Sequence, residues 1–328
     1  MKALVTGATG FVGSALARRL LSFAQCEVRA LVRAGSDRQN LAGLDLEFFE
    51  GDLNQASSLA QALKGCQLLF HVAADYRLWV PKPEIMYQTN VEATRTLMRM
   101  ALEQGVQKVI YTSSVATLGY HPDGSPADEQ TPSSLDDMIG HYKRSKFLAE
   151  QAVQDLIDSQ GLPAVIVNPS TPVGPGDIKP TPTGKMIRDA AAGRIPAFVD
   201  TGMNFVHVND VAEGHILAWQ KGEIGERFIL GGDDMSLQEV LTLIALEQGR
   251  KPPKVKIPRS LAMAIAYTSE LYARLLPGAE PLATVEGVKM SRKRMYFSSD
   301  KAKRRLGYIP RPGAEAIIDA VHWFEQRA

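Results

Sequence analysis

Apolar residues follow two different spacings over the first half of the chain. Short runs that are apolar almost throughout predict strands buried on both faces. They fall at Lys2–Thr6, Glu27–Val32, Leu46–Glu50, Leu68–Val72, Lys108–Thr112 and Ala164–Asn168. Stretches with helical spacing lie between them, at Phe11–Ala24, Ser57–Leu63, Glu84–Gln104 and Tyr142–Ser159. This alternation predicts an α/β fold with a doubly wound parallel sheet and helices on both of its faces.

The pattern changes after Asn168, where prolines and glycines crowd residues 169–184 and predict a long, stiff loop. Helical spacing dominates from there on, with short strands predicted near Phe205–Val208 and Arg227–Leu230. We therefore expect one domain over residues 1–170 and a smaller, mainly helical substrate-binding region over residues 171–328. Some segments of the second part are expected to return to the first sheet. Open α/β sheets bind ligands beyond the carboxyl ends of their strands, so the predicted site is the cleft between the two parts.

Composition narrows the classes of function. The 328 residues exceed the usual size of a single core, and 37 basic against 36 acidic residues give a net charge of +1, which predicts no nucleic-acid partner. The cysteines, Cys26 and Cys66, and the histidines show no metal or redox spacing, so we expect no metal and a reducing cytoplasm. No apolar run reaches the roughly 18 residues of a transmembrane helix. The most apolar late stretch, Ser260–Leu276, predicts an amphipathic helix packed on the core, with membrane-surface contact as the alternative.

Three glycines stand between the first predicted strand and the first predicted helix, in the run VTGATGFVG. In such a turn Gly7 reverses the chain, Gly10 lets the backbone approach a pyrophosphate, and Gly13 allows close packing of helix on strand. Free N–H groups at the start of the helix then face the phosphates. We therefore predict that residues 1–170 bind NAD(P). The predicted contacts in this turn also include Thr9, Phe11 and Val12.

The end of the second strand bears on the choice between NAD and NADP. An acidic residue there would bind the adenosine ribose of NAD, whereas Arg33 can accommodate the 2′-phosphate of NADP. We predict NADP, with NAD as the alternative, in which case Arg33 is a solvated loop charge. Further cofactor contacts are predicted at the ends of strands two to four: Ser36, Arg38, Asp52, Leu53, Ala73 and Ala74.

Tyr142 and Lys146 are four residues apart in HYKRSK, a spacing that puts both side chains on one face of a helix. A free phenol titrates at about 10. We expect the Lys146 ammonium and an oxidised nicotinamide ring to lower that pKa, so that Tyr142 exchanges a proton with a substrate oxygen. Ser113 and Ser114 end the fifth strand, where a hydroxyl can stabilise charge on the same oxygen. The alternative is that Tyr142 packs in the core and Lys146 is solvated.

Neighbouring residues complete the predicted site. The remaining cofactor contacts are predicted at Tyr142, Lys146, Thr112, Asn168, Pro169 and Thr171. Substrate contacts are predicted at Asp75, Trp79, Ser114 and Thr171. Trp79 either stacks on a ring of the substrate or holds its own loop in place. Asn90 is expected to bind a buried water or backbone, and His207 is expected to be a core histidine with satisfied hydrogen bonds.

The motifs TGATGFVG, GDL, HVAA, TSS and YKRSK occur in this order. Together they resemble the extended short-chain dehydrogenase/reductase family over essentially the whole chain. The longer runs HVAADYRLW and GHYKRSKFLAEQAV are most similar to its hopanoid-associated sugar epimerases, which are often labelled dihydroflavonol-4-reductase-like. The resemblance implies a Rossmann domain with a small carboxy-terminal substrate domain. It also implies a catalytic Ser–Tyr–Lys set in which Ser114 is the serine.

The resemblance leaves the reaction open. Sugar-nucleotide epimerases of the family carry Arg-Asp where this chain has Met203 and Asn204, and the arginine grips the nucleotide diphosphate. Sugar dehydratases carry Asp-Glu where it has Val115 and Ala116. We therefore expect an NADP-dependent oxidoreductase, dihydroflavonol-4-reductase-like, that acts at a carbonyl or secondary alcohol carbon in hopanoid-related metabolism. The alternatives are a sugar or sugar-nucleotide epimerase with transient hydride transfer, and a non-catalytic dinucleotide sensor or scaffold.

The expected partner is a small molecule: a sugar derivative, a lipid-linked sugar, or a cyclic ketone or alcohol. The predicted helices Glu84–Gln104 and Tyr142–Ser159 have the length for a two-fold four-helix interface, which predicts a homodimer. The basic run Ser291–Arg294 either binds a diphosphate or forms a solvated turn.

Overall fold

The computed structural model describes residues 1–276 and 281–327. The main sheet contains β1 (Lys2–Thr6), β2 (Glu27–Val32), β3 (Glu47–Glu50), β4 (Leu68–His71), β5 (Lys108–Thr112), β6 (Ala164–Pro169) and β10 (Arg227–Leu230), numbered in chain order. These seven strands pair in parallel in the order β10-β6-β5-β4-β1-β2-β3. The predicted doubly wound parallel sheet is therefore confirmed, and the predicted strands lie within a residue of the observed ones.

Helices cover both faces of this sheet. They are α1 (Phe11–Leu20), α2 (Ala56–Leu63), α3 (Pro83–Tyr87), α4 (Ala93–Glu103), α5 (Gly140–Gln160) and α7 (Val208–Lys221). Successive strand residues point to opposite faces, so Val5 and Phe70 pack in the core beneath α1 and α7. Leu4 and Leu69 pack in the core beneath α2, α4 and α5. Burial on both faces explains why the strands read as continuous apolar runs.

A π-helical turn, Gln88–Glu92, joins α3 to α4. The helix predicted over Glu84–Gln104 is thus three consecutive segments. The turn includes Asn90, which is buried. Wide turns of this kind often occur at functional positions, because they redirect a side chain.

The later part of the chain packs around a separate core that includes Ile187, Phe205 and Ile317. Its strands are β7 (Thr171–Val173), β8 (Ala197–Phe198), β9 (Gly202–His207), β11 (Asp233–Ser236) and β12 (Val255–Lys256). The helices of this later part are α6 (Pro182–Ala191), α8 (Leu237–Glu247), α9 (Arg259–Leu275), α10 (Val285–Met290), α11 (Asp300–Leu306) and α12 (Gly313–Glu325). Of these, α9 and α10 pack on each other in a smaller cluster, and α11 packs on the core of the main sheet. The strands form small sheets in the orders β11-β9-β7 and β12-β8. The loop predicted over residues 169–184 therefore contains a strand, β7, which pairs with β9.

Strand β10 and helix α7 belong to the main sheet and its helical layer, because β10 pairs with β6 and α7 packs on the core of α1. The chain thus leaves the first layer after β6 and returns to it. Between residues 1 and 276 and between 281 and 327, no helix is long and apolar enough to cross a bilayer. The same residues contain no group of histidine, cysteine and acidic side chains suited to a metal ion.

Candidate active site

The glycine turn between β1 and α1 is too tight for side chains. Gly7 has a φ of +70°, and a Cβ on it would lie 2.8 Å from the backbone nitrogen of Ala73. A Cβ on Gly13 would lie 2.1 Å from the carbonyl oxygen of Gly7, so α1 packs directly on the turn. Gly10 is exposed and precedes α1, and no side chain of the described residues caps this helix end. These features fit the phosphates of a dinucleotide, which the open N–H groups can bind.

Asn40 stabilises this turn. No sequence motif identifies it. Its Nδ2 donates hydrogen bonds to the carbonyl oxygens of Thr9 at 3.4 Å and of Gly176 at 2.9 Å. The phosphate turn is thereby joined to the loop after β7. An isolated asparagine in a polar loop carries no periodic or motif signal, so only the folded structure shows this contact.

Two arginines lie near the end of β2, and their environments differ. Arg33 is exposed, and its guanidinium has no hydrogen bond or ion pair within residues 1–276 and 281–327. Arg38 instead lies over the ring of Phe48 at 4.8 Å and 3.8 Å from a carboxylate oxygen of Glu50. Arg33 is therefore the more available of the two for an anionic group of a cofactor.

The other predicted cofactor residues divide into two sets. The partly exposed residues are Thr9, Phe11, Val12, Ser36, Asp52, Leu53, Ala73, Ala74 and Thr171. The buried residues are Thr112, Asn168 and Pro169. The hydroxyl of Thr112 bonds to Nε2 of the buried His215 at 2.8 Å, so it is engaged inside the protein. His207 is also satisfied, by Asn209 N–H at 3.0 Å and Asp319 at 3.2 Å, which confirms the prediction of a core histidine.

Ser114 and Tyr142 come together at the carboxyl edge of the main sheet. Ser114 follows β5, and its Oγ accepts a hydrogen bond from the backbone N–H of Ala116 at 3.1 Å. Its own proton therefore remains available for donation. Burial raises the pKa of the Tyr142 phenol, and the nearby Ser114 side chain partly offsets that effect. The two hydroxyls can thus reach one substrate oxygen.

Lys146 is only 3% exposed, so it is not the solvated side chain of the alternative interpretation. Its Nζ donates to the carbonyl oxygen of Thr112 at 2.8 Å and to the hydroxyl of Tyr111 at 3.5 Å. Burial lowers the pKa of Lys146 to about 8, and the Glu150 carboxylate opposes that effect. Because the ammonium turns toward β5, it does not lower the pKa of Tyr142, which is raised. The predicted lowering is therefore wrong for the polypeptide alone.

A buried polar network lies behind Ser114. Nδ2 of Asn168 donates to the carbonyl oxygen of Ser114 at 3.0 Å and to Oε2 of Glu150 at 2.8 Å. Glu150 also accepts hydrogen bonds from Thr117 at 3.0 Å and from Arg227 at 2.7 Å. Asn168 therefore holds Ser114 with its amide, and Glu150 ties α5 to β10. The sequence signal for Glu150 is its place four residues after Lys146, on the same face of α5.

Asn90 fixes the loop that follows β4. Its Oδ1 accepts from the backbone N–H of Asp75 at 2.7 Å, and its Nδ2 donates to the carbonyl oxygen of Asp75 at 2.8 Å. The same Nδ2 donates to Oγ of Ser145 on α5 at 3.0 Å. The expectation that Asn90 binds backbone is confirmed. The loop is thereby held beside Lys146.

The predicted substrate residues Asp75 and Trp79 lie on this loop. Burial raises the pKa of Asp75, but hydrogen bonds from Arg77 bring it below its ordinary value. Trp79 is partly exposed, and the guanidinium of Arg274 lies 5.5 Å from its ring centroid. Trp79 thus connects the loop to α9. Thr171, the other predicted substrate residue, lies in β7.

Lys143 is a second buried lysine, adjacent to Tyr142, that the sequence analysis does not single out. Its Nζ donates to the hydroxyl of Tyr120 and lies 3.9 Å from Sδ of Met295. Lys293 lies over the same tyrosine ring at 5.1 Å. Burial lowers the pKa of Lys143 to about 8, and the charge of Lys293 contributes to that shift. Lys293, from the predicted basic run, therefore packs on the protein and is not simply a solvated charge.

The family model of the NAD dependent epimerase/dehydratase family matches residues 3–231. The chain is 45% identical, over 98% of its length and 94% of the relative's, to a protein from Synechocystis sp. with the provisional name dihydroflavonol 4-reductase. It is 34% identical, over 100% of its length and 99% of the relative's, to sterol demethylase protein B from Methylococcus capsulatus. A crystal structure of gox2253 is 57% identical, with a TM-score of 0.89, and the match covers 99% of this chain and 98% of that chain.

The parallel sheet, the glycine turn and the hydroxyl groups at the strand ends define an enzyme that uses a nicotinamide dinucleotide. The chain belongs to the NAD dependent epimerase/dehydratase family, within the extended short-chain dehydrogenases/reductases. The family predicted from the motifs is confirmed.

Proposed function

We propose that the protein is an NADP-dependent oxidoreductase that transfers a hydride at a carbonyl or secondary alcohol carbon. The observation that carries the proposal is the pairing of Tyr142 with Ser114 at the edge of the sheet, beside the buried ammonium of Lys146. Carbonyl reduction requires a proton donor, a second donor to the same oxygen and a fixed positive charge near the cofactor. These three side chains supply them.

In the reductive direction, Ser114 donates a hydrogen bond to the carbonyl oxygen, because the Ala116 N–H already holds the serine oxygen in place. Tyr142 then gives its proton to that oxygen as negative charge develops on it. The raised pKa of Tyr142 keeps the phenol protonated at neutral pH, which suits a proton donor. A bound nicotinamide supplies the hydride. Lys146, with a pKa of about 8, keeps most of its positive charge at pH 7 and would hold the nicotinamide ribose.

The choice of NADP rests on Arg33. Its exposed guanidinium has no hydrogen bond or ion pair among the described residues, and a 2′-phosphate would supply a partner with two charges. Arg-phosphate pairs form strong, bidentate hydrogen bonds. Arg38 is engaged by Phe48 and Glu50, so it is the weaker candidate.

For the substrate, we propose a cyclic ketone or alcohol of lipid character, in hopanoid-related metabolism. The motif resemblance supports this class, as do relatives named for a sterol and for a dihydroflavonol, both of which are ring systems. Met203 supports it as well. It pairs with Met295 in an isolated bridge and puts an apolar side chain where sugar-nucleotide epimerases carry an arginine.

The experiment is to measure consumption of NADPH by the purified protein with cyclic ketones, aldehydes and sugar derivatives, with NADH in parallel. Tyr142→Phe and Ser114→Ala should each lose most of the activity while remaining folded. Ser57→Ala, which removes an exposed serine hydroxyl on α2, is the matched control and should be fully active. A folded protein that consumes NADPH with no member of the panel would count against the proposal.

Sugar epimerisation is the second candidate, because the family includes epimerases. Both reactions would use Tyr142, so Tyr142→Phe does not separate them. The fate of the cofactor does. An epimerase retains NAD through purification and interconverts sugars without net redox change, whereas a reductase releases NADP in proportion to its product.

For the assembly, we propose a homodimer built on the outer faces of α4 and α5. These helices pack side by side on one face of the main sheet, which supports a two-fold four-helix interface. Light scattering of the purified protein tests this assembly.

A further inference from the structure

Helix α9 buries small residues and exposes large apolar ones, which is the reverse of an ordinary amphipathic helix. Its buried residues are small: Ala262, Ala266 and Ala273. Its large side chains are exposed instead: Leu261 by 50%, Tyr267 by 58%, Leu271 by 59%, Tyr272 by 60% and Leu275 by 72%. A surface helix ordinarily turns its large apolar residues toward the core. This sequence instead uses alanines against the protein and presents leucine and tyrosine to the outside.

The exposed apolar side chains form one continuous face, which we call the α9 face. Leu261, Leu271 and Leu275 recur at spacings that bring them to the same side of the helix. Leu276, Leu282 and Val255, in the segments next to the helix, are exposed apolar residues as well. Exposed apolar patches of this kind mark sites of association with a partner or a membrane.

Exposed basic residues lie before and within α9, and we call them the basic rim: Lys254, Lys256, Arg259 and Arg274. Two of them are near carboxylates. Nζ of Lys256 is 3.5 Å from Asp200, and the guanidinium of Arg274 is 4.0 Å from Glu270, whose side chain is only 13% exposed. Lys254 and Arg259 have no carboxylate partner among the described residues, so they carry the unpaired positive charge of this rim.

This charge pattern distinguishes a bilayer from a second copy of the chain. A two-fold interface sets a patch against itself, so the basic rim would meet an identical basic rim. Anionic lipid head groups carry the opposite charge, and the boundary between head groups and acyl chains accepts leucine and tyrosine. We propose that the α9 face docks the protein on the surface of a bilayer that contains anionic lipid.

The α9 face adjoins the candidate active site. Arg274 lies over Trp79, and the loop of Trp79 is held to α5 beside Lys146 through Asn90. Docking would therefore bring this loop to the lipid surface, where a lipid substrate of the proposed reaction is found. The docking itself is tested without turnover, so it stands or fails independently of that reaction.

The test is co-sedimentation with vesicles of phosphatidylcholine alone and of phosphatidylcholine mixed with phosphatidylglycerol. We expect the protein to bind the mixed vesicles more tightly. Leu271→Glu with Leu275→Glu should weaken that binding about 100-fold or more, because two leucines leave the interface. Lys254→Glu with Lys256→Glu should weaken it about 10-fold or more on the mixed vesicles and much less on phosphatidylcholine.

The matched control is Ile224→Glu with Leu246→Glu, which changes residues 59% and 64% exposed outside the α9 face. It should bind vesicles as the unaltered protein does, and circular dichroism should show that all variants are folded. The proposal is overturned if the unaltered protein sediments with neither vesicle, or if the control loses binding as strongly. It is also overturned if light scattering shows that the leucine variant only dissociates a dimer, because the face then belongs to a second copy.

Discussion

Replacing Lys146 with methionine separates what its ammonium does for catalysis from what it does for folding. The ammonium is buried and donates to the carbonyl oxygen of Thr112 at 2.8 Å. Methionine has a similar length and no charge. If Lys146 binds the cofactor and assists proton transfer, activity should fall far more than stability does.

The opposing contributions to the free energy of unfolding can be compared. Burial lowers the pKa of Lys146 from 10.5 to about 8, which corresponds to a cost of about 3 kcal/mol at neutral pH. Methionine avoids this cost but gives up a charged hydrogen bond worth about 1.5–3 kcal/mol. We therefore expect Lys146→Met to change the free energy of unfolding by no more than about 2 kcal/mol, measured in denaturant.

The same change should lower kcat/KM about 100- to 1,000-fold, the usual effect of removing one group that stabilises developing charge. The assay is NADPH consumption with the best ketone of the panel, at equal concentrations of folded enzyme. A catalytic role of Lys146 is refuted if Lys146→Met retains kcat/KM within a few-fold, or if its activity falls only in proportion to the folded fraction.

The pH dependence of kcat/KM provides a second measure of the role of the Lys146 charge. The ammonium is charged below its pKa, so kcat/KM for reduction should fall as the pH rises through about 8. Glu150→Gln should move this decline to lower pH, because the Glu150 carboxylate raises the pKa of Lys146. Lys143, whose pKa is also about 8, provides the control: Lys143→Met should leave the position of the decline unchanged.

Other changes test other parts of the site. Arg33→Ala should raise the KM for NADPH about 10- to 100-fold and leave that for NADH unchanged, because its guanidinium has no hydrogen bond or ion pair to lose among the described residues; equal effects on both cofactors would contradict the assignment of NADP. Asn90→Ala removes three hydrogen bonds and should lower the free energy of unfolding by about 2–4 kcal/mol in denaturant; a loss below about 1 kcal/mol would mean that the loop is held by other contacts. Lys143→Met should change the free energy of unfolding at pH 7 by no more than about 2 kcal/mol, because it removes both the cost of the buried charge, about 3 kcal/mol, and a charged hydrogen bond to Tyr120, about 1.5–3 kcal/mol. The cost of the buried charge is fully present below pH 8 and is relieved as the pH rises toward 10.5, so the stability of Lys143→Met should fall relative to the unaltered protein over that range; a difference independent of pH would point to packing instead.

The main sheet could be predicted from the sequence because strands buried on both faces are apolar at nearly every position. Every residue of β4 is buried, so the strand reads as an apolar run, and its pairing follows from the alternation with helices. The glycine turn could be predicted from its motif. Gly13 is required by the nearby carbonyl oxygen of Gly7, whereas Gly7 is required by the backbone of Ala73, which is distant in the chain and follows β4. Strand β7 was not predicted, because it has only three residues and pairs with β9, which lies about thirty residues later in the chain.

The groups that support the candidate site depend on contacts between residues far apart in the chain. Asn40 meets Gly176, and Glu150 meets Arg227, and neither pair leaves a pattern in the sequence. The sequence also could not predict that the pKa of Tyr142 is raised. The spacing of Tyr142 and Lys146 shows that they share a helix face, but only the fold shows that Nζ turns to the carbonyl oxygen of Thr112.

The most direct test of hydride transfer to a carbonyl carbon uses NADPH that is deuterated at the transferring position of the nicotinamide. The ketone that gives the highest turnover is reduced, and mass spectrometry locates deuterium in the product. We predict one deuterium on the carbinol carbon and one NADP released for each product, with both lost in Tyr142→Phe. A product that is isomerised without deuterium, with no net consumption of NADPH, would contradict this prediction.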